Sequence, residues 1–240
     1  MNVERPTILV TGASRGIGHA LVAHYLKNGA YVIAAARNVD SATANSGDCL
    51  WVQTDLSTSE GCEKVIRYVG QTGRPLDVVI HNAGMQQEID LTDAAGLRPQ
   101  IEAELSLNLV APAVLSKSLV PFIRQPGGVI VNVTSLVSRA PKPSAPIYSA
   151  SKAGLASFSK SLRHQLRPLG INVIEAVPPL VATDMTAGRG KRKMTPEAMA
   201  EAIAQGVTLG RAQVAPGLSG LVLALNRFAP GVVERVLRSS

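Results

Sequence analysis

The stretch "TILVTGASRGIGHALVAHYLKNGAYVIAAAR", residues 7 to 37, decides the fold. It runs from an apolar segment through a glycine-bearing turn into a helix-period segment, and then into a second apolar run that ends at Arg37. The apolar runs show little period-two alternation, which suits strands covered on both faces. A strand, helix and strand in this order close as a right-handed parallel crossover.

The same alternation continues. Strands are predicted at "LWVQTD" (50–55), "LDVVIHNAG" (76–84), "GGVIVNVTS" (127–135) and "INVIEAVPP" (171–179), separated by helices near 57–71, 99–124 and 147–168. Repeated crossovers generate an α/β fold: a doubly wound, Rossmann-like parallel sheet with helices on both faces. We expect one domain over residues 1–240, with 184–240 as substrate lid and terminal segment. In such sheets ligands sit beyond the carboxyl ends of the strands. Most of the unusual residues in this chain fall there.

Composition sets limits. With 46% hydrophobic and 17% charged residues over 240 positions, the chain can bury a substantial core and is not disordered. The start, "MNVERPTILV", lacks the plan of a secretory signal. The apolar stretch 105–123 is interrupted by Asn108, Pro112 and Lys117, so no membrane span is expected. Cys49 and Cys62 have no metal-site spacing, which leaves buried thiols, no metal and a cytoplasmic location as the expectation. Net charge is +7, and the densest basic run is "GRGKRKM" (188–194). No aromatic residue interleaves it, so it reads as a solvated loop and not as a nucleic-acid site.

In the turn "TGASRGIG", Gly12, Gly16 and Gly18 permit a tight bend and close backbone approach. Together with Ser14, Arg15 and Ile17 they open a helix whose free N–H groups can hold a pyrophosphate. The second strand ends in Ala36 and Arg37, where NAD-selecting folds present a carboxylate to the ribose. Arg37 and Arg15 instead suit a 2′-phosphate, so NADP(H) is the expected cofactor. Asp55, followed by Leu56 at the end of the third strand, is placed to receive the adenine amino group.

These motifs, with "HNAG" (81–84), Asn108, Ser135, "YSASK" (148–152) and "PPLVAT" (178–183) in that order, resemble the short-chain dehydrogenase/reductase family over residues 7 to about 185. The resemblance implies that Asn82, Ala83 and Gly84 line the adenosine side. It places Pro178 and Thr183 at the nicotinamide, with Thr183 bonding the carboxamide. It also implies a homodimer or homotetramer.

The chemistry fits these residue types. Hydride addition to a carbonyl leaves an alkoxide, and an acid must deliver a proton to it. Tyr148 is the candidate; its phenol is too weak an acid at neutral pH unless a cation lies nearby, and Lys152 stands one helical turn away. Ser135 can donate to the substrate oxygen. Asn108 is odd in an apolar helix, since an unpaired amide there costs about 1 to 3 kcal/mol. The resemblance gives it a water linking the lysine to solvent; a bond to its own helix backbone is the alternative.

The expected activity is NADPH-dependent interconversion of a carbonyl and a secondary alcohol. Reduction of an imine or enone at the same site stays open, as does a catalytically silent NADP-binding sensor or assembly protein. Met85, Leu136, Val137, Ile147, Leu180 and Val181 are expected to make an apolar pocket, with Met185, Arg189, Lys191 and Arg192 in a lid.

The chain departs from the family pattern in places. His81 replaces the commoner Asn and is not expected to be catalytic, and Pro179 stands where glycine is usual. The connection 38–49 is too short for a full helix. The C-terminus lacks the usual ending; a short strand near Val207–Leu209 and a helix over 218–228 are expected.

Overall fold

The computed structural model describes residues 5–39, 47–92, 97–188, 190 and 192–238. Seven strands form one parallel sheet in the order β3-β2-β1-β4-β5-β6-β7. They are β1 (Thr7–Thr11), β2 (Tyr31–Ala36), β3 (Cys49–Gln53), β4 (Val78–His81), β5 (Val129–Val133), β6 (Asn172–Ala176) and β7 (Gln213–Val214). The order reverses between β1 and β4, and that reversal opens a crevice at the carboxyl ends of the strands.

Alternate side chains of each strand feed two cores. Ile8 and Val10 of β1 face α1 (Gly16–Lys27) and α6 (Pro196–Thr208), joining Leu21, Met199 and Ile203. Leu9 faces the opposite layer of α2 (Ser59–Thr72), α4 (Ala111–Leu119) and α5 (Pro146–Leu166), joining Val65, Leu115 and Leu162. Both faces are covered, which is why the strands read as continuous apolar runs.

The predicted helix near 99–124 is a composite. Here α3 (Arg98–Leu105) and α4 are joined by a π-helical turn over Ser106–Val110. The whole helical segment Arg98–Phe122 is long and apolar enough, by length and composition, to cross a membrane. In this fold Glu104, Asn108 and Ser116 of that segment are buried within the protein.

The strand expected near Val207–Leu209 is not there. α6 runs on to Thr208, Gly210 ends the segment with a left-handed φ of 60°, and the last strand is the two-residue β7, paired to Glu175 and Ala176 of β6. The helix expected over 218–228 is α7 (Leu218–Phe228), followed by α8 (Pro230–Arg238). Residues 40–46, most of the connection between β2 and β3, lie outside the described residues.

Candidate active site

The β1 turn is clasped to the β4 turn. Thr11 Oγ1 accepts from the backbone N–H groups of Asn82 and Ala83, each at 3.0 Å. In return Asn82 Nδ2 donates to the carbonyls of Thr11 and Gly12 at 3.0 and 3.2 Å. The glycines make the approach possible: Gly12 has φ 65°, and a Cβ on it would lie 2.7 Å from Ala83 Cα. A Cβ on Gly18 would lie 2.0 Å from the Gly12 carbonyl oxygen, so Gly18 seats α1 beneath the turn instead of lining the cleft.

Beyond these turns lies a cleft of about 1380 Å³. Its wall includes Gly12, Ser14, Arg15, Gly16 and Ile17 at the start of α1, and Ala36 and Arg37 at the end of β2. Leu56, Asn82, Ala83, Gly84, Pro178 and Thr183 also line it. The amino end of α1 opens onto this space with Gly12 and Gly16, both at positive φ, in the turn that leads into it, which fits a dinucleotide pyrophosphate. Arg15 is not free in this structure, because its Nη1 donates to Asp184 Oδ2 at 3.1 Å across the mouth of the cleft.

Asp55 stands beside the wall, between two residues that line it. The structure brings Thr54 and Leu56 into the wall but not Asp55. Its Oδ1 accepts from the Ser57 N–H at 2.9 Å and the Ser57 hydroxyl at 2.8 Å, which turns the carboxylate into the start of α2.

At the other end of the cleft, α5 carries Tyr148 and Lys152, both buried and both lining the cavity. Lys152 Nζ lies 5.8 Å from the centre of the Tyr148 ring and donates to the Val133 carbonyl at 2.8 Å. Burial pulls the Lys152 ammonium down from 10.5 to about 8, and the charge of Glu104 works against that fall. Ser135 lies in the facing wall just after β5, and its Oγ accepts from the Val137 N–H at 3.4 Å while capping a 3-10 turn. A buried brace holds that turn. Arg139 Nη2 donates to both carboxylate oxygens of Glu175 at 3.0 Å, and Glu175 also accepts from Thr134 and Gln213.

Asn108 sits behind the wall, fully buried in the π-helical turn. Its Nδ2 donates to the Met85 carbonyl at 2.9 Å and to Ser151 Oγ at 3.1 Å, and its Oδ1 accepts from the Met85 N–H at 2.9 Å. The amide therefore pairs with the loop after β4 and with α5, not with its own helix backbone. The extra residue of a π turn rotates a side chain off the regular helical face, and such turns are frequent at functional sites.

Leu136, Val137, Leu180, Val181, Met185 and Arg192 line the cavity as expected, whereas Met85 and Ile147 do not. Arg189 and Lys191 lie outside the described residues. Sequence reading missed Gln86, Lys142 and Leu107 in the wall. It also missed Glu104, whose only cue was a carboxylate four residues ahead of Asn108 in an apolar helix. His81 is buried, with Nε2 at 3.0 Å from Ser116 Oγ, and does not reach the cleft wall. Among the described residues no cluster of potential metal ligands occurs.

A doubly wound parallel sheet with a glycine cradle and a Tyr and Lys pair at its switch-point crevice defines a dinucleotide-dependent class of protein. Residues 6–194 match the short chain dehydrogenase family. The chain belongs to that family of oxidoreductases. A similar curated protein is the 11-beta-hydroxysteroid dehydrogenase-like 3 of Arabidopsis thaliana, 35% identical over 196 residues that span 77% of this chain and 62% of that one. Another is the 3-oxoacyl-[acyl-carrier-protein] reductase of a Synechocystis species, 32% identical over 74% of this chain and 75% of that one. A solved short-chain dehydrogenase from Sphingobium yanoikuyae, in complex with NADPH, is 28% identical with a TM-score of 0.80, covering 95% of this chain and 94% of that one.

Proposed function

We propose that this protein is an NADPH-dependent reductase that interconverts a carbonyl and a secondary alcohol. The observation that carries the reading is the buried stacking of Lys152 beneath Tyr148 on one face of α5, open to the cleft opposite Ser135. NADPH, when bound, supplies the hydride. Arg15 and Arg37 at the mouth favour the 2′-phosphate, and the NADPH complex of the Sphingobium protein supports the choice.

The chain's own residues do the rest. Ser135 donates to the substrate oxygen and orients it towards Tyr148. Tyr148 gives its phenolic proton to the oxygen as negative charge develops there. Lys152, as an ammonium, stabilises the phenolate that remains and so brings the phenol within range of neutral pH. Asn108 fixes the loop after β4 against α5 and keeps the lysine's surroundings in place. The mostly apolar wall formed by Leu136, Val137, Leu180 and Leu218 favours an apolar carbonyl compound. We further infer a homodimer through the face on which Val110, the last residue of the π-helical turn, and Val114 of α4, one turn on, stand 50% and 40% exposed.

Loss of NADPH absorbance across a panel of apolar ketones and aldehydes tests the activity. Tyr148→Phe is expected to lower turnover by about 10³-fold or more while leaving NADPH affinity within about twofold. Undiminished turnover in that variant would remove the assigned acid.

A further inference from the structure

Glu104, on α3, has no solvent exposure. Its Oε1 accepts from the Gln87 N–H at 3.2 Å, while Oε2 is buried with no hydrogen-bond partner. A carboxylate held this way is costly unless an opposite charge lies near. Lys152 supplies that charge from α5, which packs directly against α3.

The geometry between them is defined by the loop after β4. A Cβ on Gly84 would lie 3.4 Å from Lys152 Nζ and 3.2 Å from Asn108 Oδ1, so the ammonium fits into the space that this glycine leaves open. The same loop is gripped by Asn108 at Met85 and, one helical turn earlier, by Glu104 at Gln87. Other ionisable groups around the pair do not replace it. On α5, Tyr148 is the proton donor itself; on β4, His81 is kept neutral by burial and bonded to Ser116. Glu88 and Asp90 on the loop are exposed, and Glu102 on α3 is paired with Arg98 in solvent.

We propose that Glu104 is a positioning residue of the Tyr148–Lys152 site, a buried counter-ion that holds Lys152 in its ammonium form from behind the loop after β4. The proposal rests on the function assigned above for its catalytic consequence, but not for its electrostatic content. Burial drives the lysine towards the neutral amine and the carboxyl towards the neutral acid, and each charge opposes the loss of the other. A neutral amine cannot acidify the phenol, so the carboxylate acts on Tyr148 through Lys152.

Two substitutions separate charge from shape. Glu104→Gln keeps the size and an acceptor for Gln87 but removes the charge; Glu104→Asp keeps the charge and shortens the reach. With the lysines labelled with ¹⁵N and Lys152 identified by its loss in Lys152→Arg, the Lys152 ammonium in Glu104→Gln is expected to titrate about one pH unit lower than in wild type. Glu104→Asp should stay near wild type. For alcohol oxidation, the rising limb of the pH profile should also move down in Glu104→Gln, with a plateau several-fold lower, because the pair loses its first proton from the lysine and not from the phenol.

An unchanged Lys152 titration in folded Glu104→Gln, or the same displacement in Glu104→Asp, overturns the proposal. If Glu104→Gln does not fold, reciprocity provides the check: in Lys152→Met the ¹³C-labelled Glu104 carboxyl should titrate higher than in wild type, and no movement overturns the proposal. A wild type that reduced no carbonyl would remove the function assigned above and leave these titrations standing.

Discussion

Lys152 donates its side-chain hydrogen bond to the carbonyl of Val133, the last residue of β5, at 2.8 Å. The contact ties the centre of α5 to the strand that leads into Ser135, so the spacing between lysine, tyrosine and serine is set by the sheet and not by a loop.

That buried lysine has a pH signature. Its folded value is lowered to about 8 from 10.5, so between these limits the unfolded chain binds the proton that the folded chain has lost. Stability then rises with pH, by about 1.4 kcal/mol per unit across that window. Lys152→Met abolishes this contribution. Urea unfolding of both proteins at pH 8 and pH 10 should show the difference moving in favour of wild type as pH rises; a constant difference would contradict the burial of a titrating amine.

His81 acts at the other end of the scale. Burial against Ser116 lowers it from 6.5 to about 3, so it stays neutral in the fold while the unfolded chain takes up a proton below 6.5. Its share of stability is intact above about pH 6.5 and is lost as pH falls towards 3. His81→Asn should therefore flatten the acid-side fall in thermal midpoint between pH 6.5 and 4, whatever it does at pH 7.5. An equally steep fall in the variant would place the acid sensitivity elsewhere.

Much of this was legible in the sequence, for physical reasons. Strands buried on both faces leave uninterrupted apolar runs, so β1 to β6 stood out, and a turn that must approach another backbone needs glycine, so "TGASRGIG" stood out too. What was harder to read depended on side-chain direction. Asp55 lies next to the cleft in sequence, and its Oδ1 is engaged by Ser57 at the start of α2. The helix over 218–228 was foreseen, and Leu218 and Val222 line the cleft, but the exposure of its other apolar residues was not: Ser219 is buried while Leu221 and Phe228 are 66% and 82% exposed. β7, only two residues long, carries too little pattern to be read.

The Arg15–Asp184 pair crosses the cleft mouth with both side chains more than two-thirds solvent-exposed. An exposed pair is worth about 0.2 to 1 kcal/mol, less than a charge-assisted bond to a phosphate. Under the proposed function, NADPH displaces Asp184 from Arg15. Asp184→Asn should then tighten NADPH by up to about fivefold, while Arg15→Ala weakens it by about tenfold or more. NADH affinity should hardly change in either. Fluorescence titration with both cofactors reads the difference, and equal changes for NADH and NADPH would remove Arg15 from the phosphate site.

The brace behind Ser135 makes the strongest claim on stability. Glu175 is 3% exposed in the middle of β6, and its two oxygens are shared among Arg139, Thr134 and Gln213. Removing the arginine leaves a buried carboxylate with neutral donors alone, which costs about 3 kcal/mol or more, whereas an exposed pair would cost less than about 1. Arg139 also braces the 3-10 turn that Ser135 caps: its side-chain Nη1 donates to the Ser138 hydroxyl at 3.0 Å, beside the backbone bond from its N–H to the Leu136 carbonyl. Arg139→Ala should therefore lose stability in urea and, under the proposed function, turnover as well, the second because Ser135 no longer has a fixed bearing on Tyr148. Arg139→Met with Glu175→Leu removes the stranded charge and should recover most of the stability, since apolar replacements of a buried pair are often neutral. It should not recover turnover, because the turn stays unbraced. If both return together, the pair is scaffold only; if the double variant is less stable than Arg139→Ala, the carboxylate was never stranded.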